Sequence, residues 1–343
     1  MKKQKSHIRM LKKIILLLAA ALWAQGAFSQ SHEFANWKRY ASANAELGAP
    51  AKGENRVVLL GDSITDRWPR TSPSFFADNG FIGRGIGGQT SYQFLLRFRE
   101  DVINLKPAVV VINYGTNDIA ENTGKYDENL TLGNVCSMAE LARANGIRVV
   151  LTSCLPAGGF GWHPAVAGAM EKIVSLNARV REYARKNNIP YVDYFDAMVT
   201  EDGTGMKPEY AVDTPGVHPN AAGYSVMEGL LLPVLESPLW FGSTEWDFGE
   251  VDPDGGTLFH SFRMTNVSDR DFRLVGAAGD CSCVRAYIGR YRIKPGETAE
   301  LKVSVNPAGY SGEVEHTLVL YGQGEKAVQS FSLKFNATDK QSR

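Results

Sequence analysis

The sequence lacks an excess of either charge, because 37 lysine and arginine residues balance 37 aspartate and glutamate residues. A chain without net charge produces no overall field that attracts nucleic acid or an anionic membrane surface. We therefore expect no nucleic-acid partner, and a small or locally recognised ligand instead. The 343 residues exceed one typical domain, and an apolar fraction of 44% is ample for ordinary cores. Two domains are the natural expectation.

Cysteine is scarce, with four residues in the chain. Cys136 lies in a helical pattern and Cys154 ends a strand-like run, so we interpret both as small apolar core residues. In a regular strand, the Cα atoms of Cys281 and Cys283 would lie near the upper limit for a disulfide, so a bond between them requires a local bend. This pair alone does not indicate a metal site. We expect no metal and no other cofactor.

We also expect no membrane-spanning segment once the predicted signal peptide is removed. Residues 14–24 form an apolar run of about eleven residues, too short for a spanning helix. A basic segment precedes this run, and Ala27-Phe28-Ser29 follows it as a small-x-small cleavage site. We predict a signal peptide over residues 1–29 and export to a bacterial periplasm or beyond, where disulfides are permitted. The alternative is an uncleaved anchor; the absence of cysteine at the cleavage point argues against a lipoprotein.

Strand-like and helix-like patterns alternate from about residue 56 to residue 235. The helical pattern is clearest over 129–145 and 171–187, where apolar residues recur at spacings of three and four. Such alternation predicts a parallel sheet covered by helices on both faces. The predicted strands are 56–60, 81–85, 108–113, 148–152 and 190–192. The predicted core face of the first helix consists of Leu130, Val135, Met138, Leu141 and Ala142.

Polar and glycine-rich segments follow each predicted strand. In parallel sheets, ligands bind beyond the carboxyl ends of the strands, where these segments would meet. The first strand ends abruptly in Gly61-Asp62-Ser63, and Ser63 can attack a carbonyl; alternatively, these residues only cap the next helix. The glycines after the second strand do not fit a dinucleotide-binding fingerprint. The other segments are 85–90, 113–118, 154–164 and 213–220.

Four of these blocks together resemble the SGNH, or GDSL, hydrolase superfamily. They are Gly-Asp-Ser-Ile-Thr at 61–65, Gly-Ile-Gly-Gly at 85–88, Gly-Thr-Asn-Asp at 115–118 and Gly-Val-His-Pro-Asn at 216–220. The resemblance implies a flavodoxin-like three-layer α/β domain with a parallel five-stranded sheet. Carried over residue by residue, it makes Ser63 the nucleophile, Gly88 and Asn117 oxyanion donors, and His218 the general base. We also expect Asp62, next to the nucleophile, to contact substrate.

The chemistry of a serine nucleophile fits these residue types. A serine hydroxyl needs an imidazole that takes its proton during attack and returns it to the leaving alcohol. His218 has the family position, whereas His163 lies in a long loop with Phe160 and Trp162 that better fits substrate contact. Family members usually have an aspartate three residues before the histidine, where this chain has Pro215.

Asp213 lies five residues before His218 and is the candidate third member of a triad. Pro215 and Gly216 suit the central positions of a type II turn, which would bring Asp213 near the imidazole. The alternatives are a Ser-His dyad and an Asp213 that merely starts the turn.

The pattern changes after about residue 241, where alternating strand-like segments are bounded by turn residues. Some seven short strands predict an antiparallel β-sandwich, in which Leu301, Val303 and Val305 share one face and Phe331, Leu333 and Phe335 another. The region resembles Ig-like modules of the Hydin type in its segments 246–249, 281–283 and 295–297 and in Asn266. We predict a hydrolase domain over 30–237 and an Ig-like domain over 241–337. The Ig-like domain shows no catalytic constellation, and we expect it to contact glycan or the cell envelope.

These observations predict an exported serine esterase. Aromatic side chains suit sugar rings, so the loop with Phe160, Trp162 and His163 favours removal of O-acetyl groups from carbohydrate, on a small molecule or a polysaccharide. The alternative is a lipid-directed lipase, lysophospholipase or platelet-activating-factor acetylhydrolase-like esterase. A second alternative is a non-catalytic carbohydrate-binding protein on the same fold.

Overall fold

A computed structural model describes residues 34–212 and 216–338. The predicted signal peptide and Asp213 lie outside the described residues. Within the described ranges, no helix combines the length and the apolar character needed to cross a lipid bilayer.

The first part of the chain alternates strands and helices. The strands are β1 (Val57–Gly61), β2 (Phe81–Gly85), β3 (Val109–Ile112), β4 (Arg148–Thr152) and β5 (Tyr191–Val192). The helices are α1 (Ala41–Leu47), α2 (Ser63–Thr71), α3 (Pro73–Asn79), α4 (Ser91–Asp101), α5 (Thr116–Ile119), α6 (Glu128–Ala144), α7 (Ala169–Asn187), α8 (Tyr194–Met198) and α9 (Ala221–Glu236). Short 3₁₀ helices cover Trp37–Arg39, Ile103–Leu105 and Pro208–Tyr210.

The five strands form one parallel sheet in the order β2-β1-β3-β4-β5, which confirms the predicted fold class. All five residues of β1 are buried, as expected for a central strand covered on both faces. This order is the flavodoxin-like one, and its switch point lies between β1 and β3. A ligand is therefore expected where β1 and β3 end, and these ends lead into Asp62-Ser63 and into Asn113.

One predicted core face is partly wrong. Val135, Met138 and Ala142 of α6 are buried, but Leu130 is 55% exposed and Leu141 is 36% exposed. The two leucines lie eleven positions apart and therefore on one side of the helix, roughly a quarter turn from the buried stripe at about 100° per residue. Apolar spacing alone did not separate these two neighbouring stripes.

The second part of the chain is all β. Its strands are β6 (Leu239–Phe241), β7 (Glu245–Val251), β8 (Leu258–Asn266), β9 (Phe272–Gly279), β10 (Val284–Ile288), β11 (Arg292–Ile293), β12 (Thr298–Val305), β13 (Gly312–Gly322) and β14 (Lys326–Ala337). They form two sheets, ordered β10-β12-β8-β6 and β11-β9-β13-β14-β7.

The two sheets of this β-rich part share one apolar core. Their inner faces meet at Phe262 and Phe331, whose ring centroids lie 4.6 Å apart. The predicted inward residues on β12 (Leu301, Val303, Val305) and on β14 (Phe331, Leu333, Phe335) are all buried. The prediction of purely antiparallel pairing is wrong at one edge, because β7 pairs with β14 in parallel. The two strands lie far apart in sequence, so no turn fixes their relative direction.

The contacts divide the chain into two compact units. Among the described residues, the first unit takes in 34–110 and Tyr114–Arg148, and the second takes in Val111–Asn113 and the residues after 148. The candidate nucleophile Ser63 belongs to the first unit, and the candidate base His218 belongs to the second.

Candidate active site

The candidate nucleophile stands at an abrupt strand-to-helix junction. Strand β1 ends at Gly61 and helix α2 begins at Ser63, which leaves Asp62 as the single residue between them. Asp62 caps the helix, because its Oδ1 accepts a hydrogen bond from the Ile64 N–H at 2.9 Å. Ser63 is the first residue of the helix and is partly exposed. Asp62 thus caps the helix as the sequence allowed, and Ser63 lies at the helix N-terminus.

Asp62 does more than cap the helix. Its Oδ2 accepts a second hydrogen bond, from Asn117 Nδ2 at 3.2 Å, and the residue is 1% exposed. Burial raises the pKa of Asp62 to about 7, although the Ile64 N–H opposes this rise by stabilising the carboxylate. The carboxylate is buried and connects α2 to Asn117, and the substrate contact expected of Asp62 stays a prediction.

The glycine-rich loop after β2 lies against the nucleophile. The Ile86 N–H donates to the Gly61 carbonyl at 3.1 Å, and a Cβ on Gly87 would lie 3.7 Å from the Ser63 Cβ. Gly85 has no room for a side chain, because its Cβ would lie 2.1 Å from the Asp66 nitrogen. The requirement at Gly88 is conformational: its φ is +77°.

Asn117 and Asn122 connect this loop to the third block. Asn117 is 3% exposed, and its Nδ2 donates to the Gln89 carbonyl at 3.1 Å as well as to Asp62. Asn122 Nδ2 donates to Asn117 Oδ1 at 2.8 Å and to the Gly88 carbonyl at 2.9 Å. Asn122 thereby holds both predicted oxyanion donors in position. Sequence reasoning missed this residue, whose sole signal is its place five residues after Asn117.

A buried arginine holds the two strand ends together. Arg97 on α4 is fully buried and donates to the Gly61 carbonyl at 2.9 Å and to Gln89 Oε1 at 2.6 Å. Its charge is balanced by Asp101, whose Oδ2 lies 2.9 Å from the guanidinium. A buried ion pair with further hydrogen bonds resists rearrangement, because breaking it leaves an unpaired charge buried in the protein. Arg97 therefore fixes the end of β1 relative to the loop after β2.

Asp118 anchors α5 from the other side. Its carboxylate accepts hydrogen bonds from the Ser91 N–H at 3.0 Å, from the Ser91 hydroxyl, and from the Thr131 hydroxyl at 3.3 Å. Burial raises the pKa of Asp118, against the effect of these donors. Helix α5, which carries Asn117, is thus tied to α4 and α6.

The candidate general base lies on the loop that leads into α9. His218 is 7% exposed, and its carbonyl accepts a hydrogen bond from the Val212 N–H at 3.0 Å. An isolated antiparallel bridge joins Ala211 to Pro219, and Asn220 caps α9 by accepting from the Gly223 N–H at 3.0 Å. The backbone on both sides of His218 is therefore held by hydrogen bonds.

The aromatic loop reaches the candidate base through Trp162. The Trp162 side chain is 42% exposed, and its ring centroid lies 6.4 Å from that of His218. His163 is exposed, and its N–H donates to the Phe160 carbonyl at 3.0 Å. Phe160 is 2% exposed and contacts Trp162 at 5.4 Å between ring centroids. The Phe160 ring is buried and packs against Trp162, and its substrate contact stays a prediction.

The structure thus brings the predicted residues together in two groups. The nucleophile half, in the first compact unit, contains the predicted Asp62, Ser63, Gly88 and Asn117, to which the structure adds Asn122. The histidine half, in the second, contains His218, Trp162, His163 and Phe160. Asp213, the predicted third member of the triad, lies outside the described residues.

Comparison with known proteins decides the family. Residues 59–226 match the family model of the GDSL-like lipase/acylhydrolase family. A GDSL-like lipase from Bacteroides thetaiotaomicron is 58% identical, with a TM-score of 0.58; the alignment covers 60% of this chain and 98% of the lipase. The chain belongs to the GDSL-like lipase/acylhydrolase family. This GDSL hydrolase is therefore an enzyme of the SGNH type.

Two further proteins and a second family model are similar to this GDSL hydrolase. A putative acylhydrolase from Bacteroides fragilis is 58% identical with a TM-score of 0.57, over 59% of this chain and 96% of that protein. An uncharacterized lipoprotein of Bacillus subtilis, YqeF, is 28% identical over 50% of this chain and 84% of its own length. Residues 239–337 match a second family model, described as a protein of unknown function, DUF1573.

Proposed function

We propose that this GDSL hydrolase is an exported serine esterase that removes short acyl groups, foremost O-acetyl, from carbohydrate. The observation that carries the substrate class is the exposed indole of Trp162, 6.4 Å from the His218 ring between centroids. Aromatic faces bind the apolar faces of sugar rings. An acetylated sugar stacked on Trp162 would present its ester near the imidazole.

In the proposed reaction, Ser63 Oγ attacks the ester carbonyl while His218 takes the hydroxyl proton. Collapse of the tetrahedral intermediate breaks the bond to the alcohol, which leaves with the proton from the imidazolium and produces an acyl-enzyme. Water, deprotonated by His218, then releases the acid and restores Ser63. The residue types are sufficient for this chemistry without a cofactor.

The nucleophile half supports stabilisation of the oxyanion. Ser63 lies in the first turn of α2, where backbone N–H groups and the helix dipole favour negative charge. We infer that the N–H groups of Ser63 and Gly88 and the Asn117 amide donate to the oxyanion. The Asn117 amide donates to Asp62 and Gln89 in this structure, so one of these bonds would exchange for the substrate.

Export is part of the proposal. The basic and apolar pattern of residues 1–29 is typical of a signal peptide. The Bacillus subtilis relative is named a lipoprotein, which supports a location outside the cytoplasm. A disulfide joins Cys281 to Cys283, and disulfides persist mainly in oxidising compartments. We further infer a hydrolase domain over 30–237 and an Ig-like module of the Hydin type over 241–337 that contacts glycan or the envelope.

The test is an assay of the purified mature chain on nitrophenyl esters of increasing length and then on acetylated polysaccharide. We expect a steep preference for acetate over octanoate. Trp162→Ala should lower kcat/KM on acetylated polysaccharide by about two- to tenfold, the effect of losing one stacking contact of about 0.5–1.5 kcal/mol, and should change hydrolysis of nitrophenyl acetate little. Tyr287→Ala, an exposed aromatic on β10, is the matched control.

Equal or faster turnover of the octanoate ester would favour the alternative of a lipid-directed lipase or acetylhydrolase. Binding of acetylated glycan without any hydrolysis would favour the non-catalytic carbohydrate-binding alternative. An equal effect of Trp162→Ala on the small ester and the polysaccharide would contradict the proposed stacking.

A further inference from the structure

A sulfur and imidazole cluster lies in the β-rich part, outside the candidate active site. Cys281 and Cys283 occupy the turn between β9 and β10, with their Cα atoms 5.3 Å apart and joined by a disulfide. The turn supplies the local bend that the sequence required for such a bond. His316 on β13 lies beside it, with its Nε2 3.4 Å from Cys283 Sγ.

The three side chains point their donor atoms at one place. The two Sγ atoms and a ring nitrogen of His316 all lie within 4.8 Å of one another. His316 is 7% exposed, and both cysteines are partly buried. The Tyr310 hydroxyl lies 3.4 Å from Cys283 Sγ and covers the cluster on one side. Sequence reasoning considered the cysteine pair alone and missed the third donor, which is 33 residues away.

The orientation of the imidazole is fixed from behind. His316 Nδ1 lies 3.0 Å from Asp280 Oδ1; because a carboxylate accepts, Nδ1 donates to it, and Nε2 is the ring nitrogen that faces Cys283 Sγ. Asp280 is itself held, since its Oδ2 accepts from the Thr317 N–H at 2.7 Å. The Tyr310 and Phe335 rings flank the imidazole. A carboxylate behind a histidine is the arrangement that orients histidine ligands in metal sites.

A purely structural disulfide does not account for this arrangement. A bond between residues two positions apart closes a very short loop and removes little chain entropy from the unfolded state. It also has no need of an oriented imidazole or of the carboxylate behind it.

We propose that the reduced form of this turn binds Cu(I) through Cys281 Sγ, Cys283 Sγ and His316 Nε2. Thiolates are soft ligands, which suit both Cu(I) and Zn²⁺. Structural Zn²⁺ sites use four ligands, whereas this cluster offers two thiolates and one imidazole. The site is distinct from the esterase chemistry and does not depend on it.

Opening the site is a two-electron reaction. A dithiol reductant gives two electrons and two protons to the disulfide and becomes a disulfide itself, which leaves Cys281 and Cys283 as thiols. Cu(I) then replaces the two thiol protons, which pass to solvent, and takes the Nε2 lone pair. Oxidation of the cysteines reverses the process and releases the metal.

The test uses the full mature chain, reduced with a phosphine under anaerobic conditions and checked by thiol counting. Cu(I) is titrated against the chromophoric chelator bicinchoninate. We expect one Cu(I) more per chain than for the Cys281→Ser/Cys283→Ser variant, which retains Cys136 and Cys154 as a matched control. His316→Gln and Asp280→Asn should each weaken binding, the latter by about 10- to 100-fold, while esterase activity stays unchanged.

Several results would overturn the proposal. One is equal Cu(I) uptake by the wild type and the double cysteine variant; another is a disulfide that the phosphine cannot reduce in the folded chain. Binding of Zn²⁺ without binding of Cu(I) would contradict the choice of metal. Unchanged affinity in a His316→Gln variant with wild-type circular dichroism would remove the histidine from the site.

Discussion

The two halves of the candidate active site are held in place by different means. In the nucleophile half, polar side chains bond to one another and to the backbone, with the buried Arg97 and Asp62 and the partly exposed Asn122 as the principal connections. In the histidine half, backbone hydrogen bonds hold the loop around His218, and stacked aromatic rings support Trp162. In the first half Asp62 and Asn117 are buried, Ser63 and Asn122 are partly exposed, and Gly88 is exposed. The second half exposes the indole of Trp162 and the His163 side chain.

This difference separates chemistry from substrate selection. A satisfied network of buried hydrogen bonds is rigid and tolerates few changes, as preorganised oxyanion donors require. Exposed loop side chains on a fixed scaffold can vary without loss of the fold. We therefore expect substitutions in the nucleophile half to lower kcat on every ester, and substitutions around Trp162 to change the preference among esters.

Within the histidine half, the largest effect is expected at Asp213, the candidate third member of the triad. If Asp213 accepts a hydrogen bond from His218, Asp213→Asn enforces the wrong tautomer and lowers kcat by up to about ten-thousandfold. The measurement is kcat on nitrophenyl acetate. Asp78→Asn, at an exposed position on α3, is the control.

A loss of kcat below about tenfold in a folded Asp213→Asn variant would instead indicate a Ser-His dyad, since replacing the aspartate of a triad lowers kcat far more. The histidine half would then rely on backbone contacts alone for its orientation.

Asn122→Ala should remove the connection between Gly88 and Asn117. Loss of one oxyanion donor costs about a hundredfold to a thousandfold in kcat, and we expect an effect at or below the lower figure, because Asn122 acts through its neighbours. KM should change little. Asn104→Ala, at an exposed position beside Glu100, controls for loss of a surface amide. A raised KM with unchanged kcat would show that Asn122 contacts substrate instead.

Asp62 should make stability depend on pH. Its pKa is about 7 in the folded chain and near 3.9 when unfolded, so between these values the folded state binds more protons. Stability from this group is therefore present at low pH and lost as pH rises, by up to about 1.4 kcal/mol per pH unit. Asp62→Asn should lack this component. The check is the difference in unfolding free energy between wild type and variant from pH 4 to pH 8; a difference that does not vary with pH would contradict it.

Local patterns were enough to locate the strands and the candidate site. The β-branched run before Gly61 and the polar segments after each strand depend on neighbouring residues, and parallel topology then brings the strand ends to one edge. Side-chain partners were harder to predict. Asn122 donates a hydrogen bond to a carbonyl 34 residues away, and Arg97 donates one to a carbonyl 36 residues away. No periodic sequence pattern predicts either contact.

The sequence also did not predict which single residues in the loops are buried. Phe160 and Trp162 are two positions apart in one loop, yet the first is buried and the second exposed. Irregular backbone has no fixed period from which to assign faces. The same holds for the parallel pairing of β7 with β14, which depends on contacts between distant strands.

Ser63 is the proposed nucleophile on which the whole mechanism depends, and covalent labelling tests its role most directly. A nitrophenyl phosphonate should react once per chain, abolish hydrolysis in proportion to labelling, and leave its adduct on the peptide containing Ser63, as read by mass spectrometry. Ser63→Ala should take no label and lose about a millionfold in kcat, whereas Ser42→Ala, at a serine on the surface helix α1, should label and react normally. An adduct on another residue, or full activity after complete labelling of Ser63, would contradict the account.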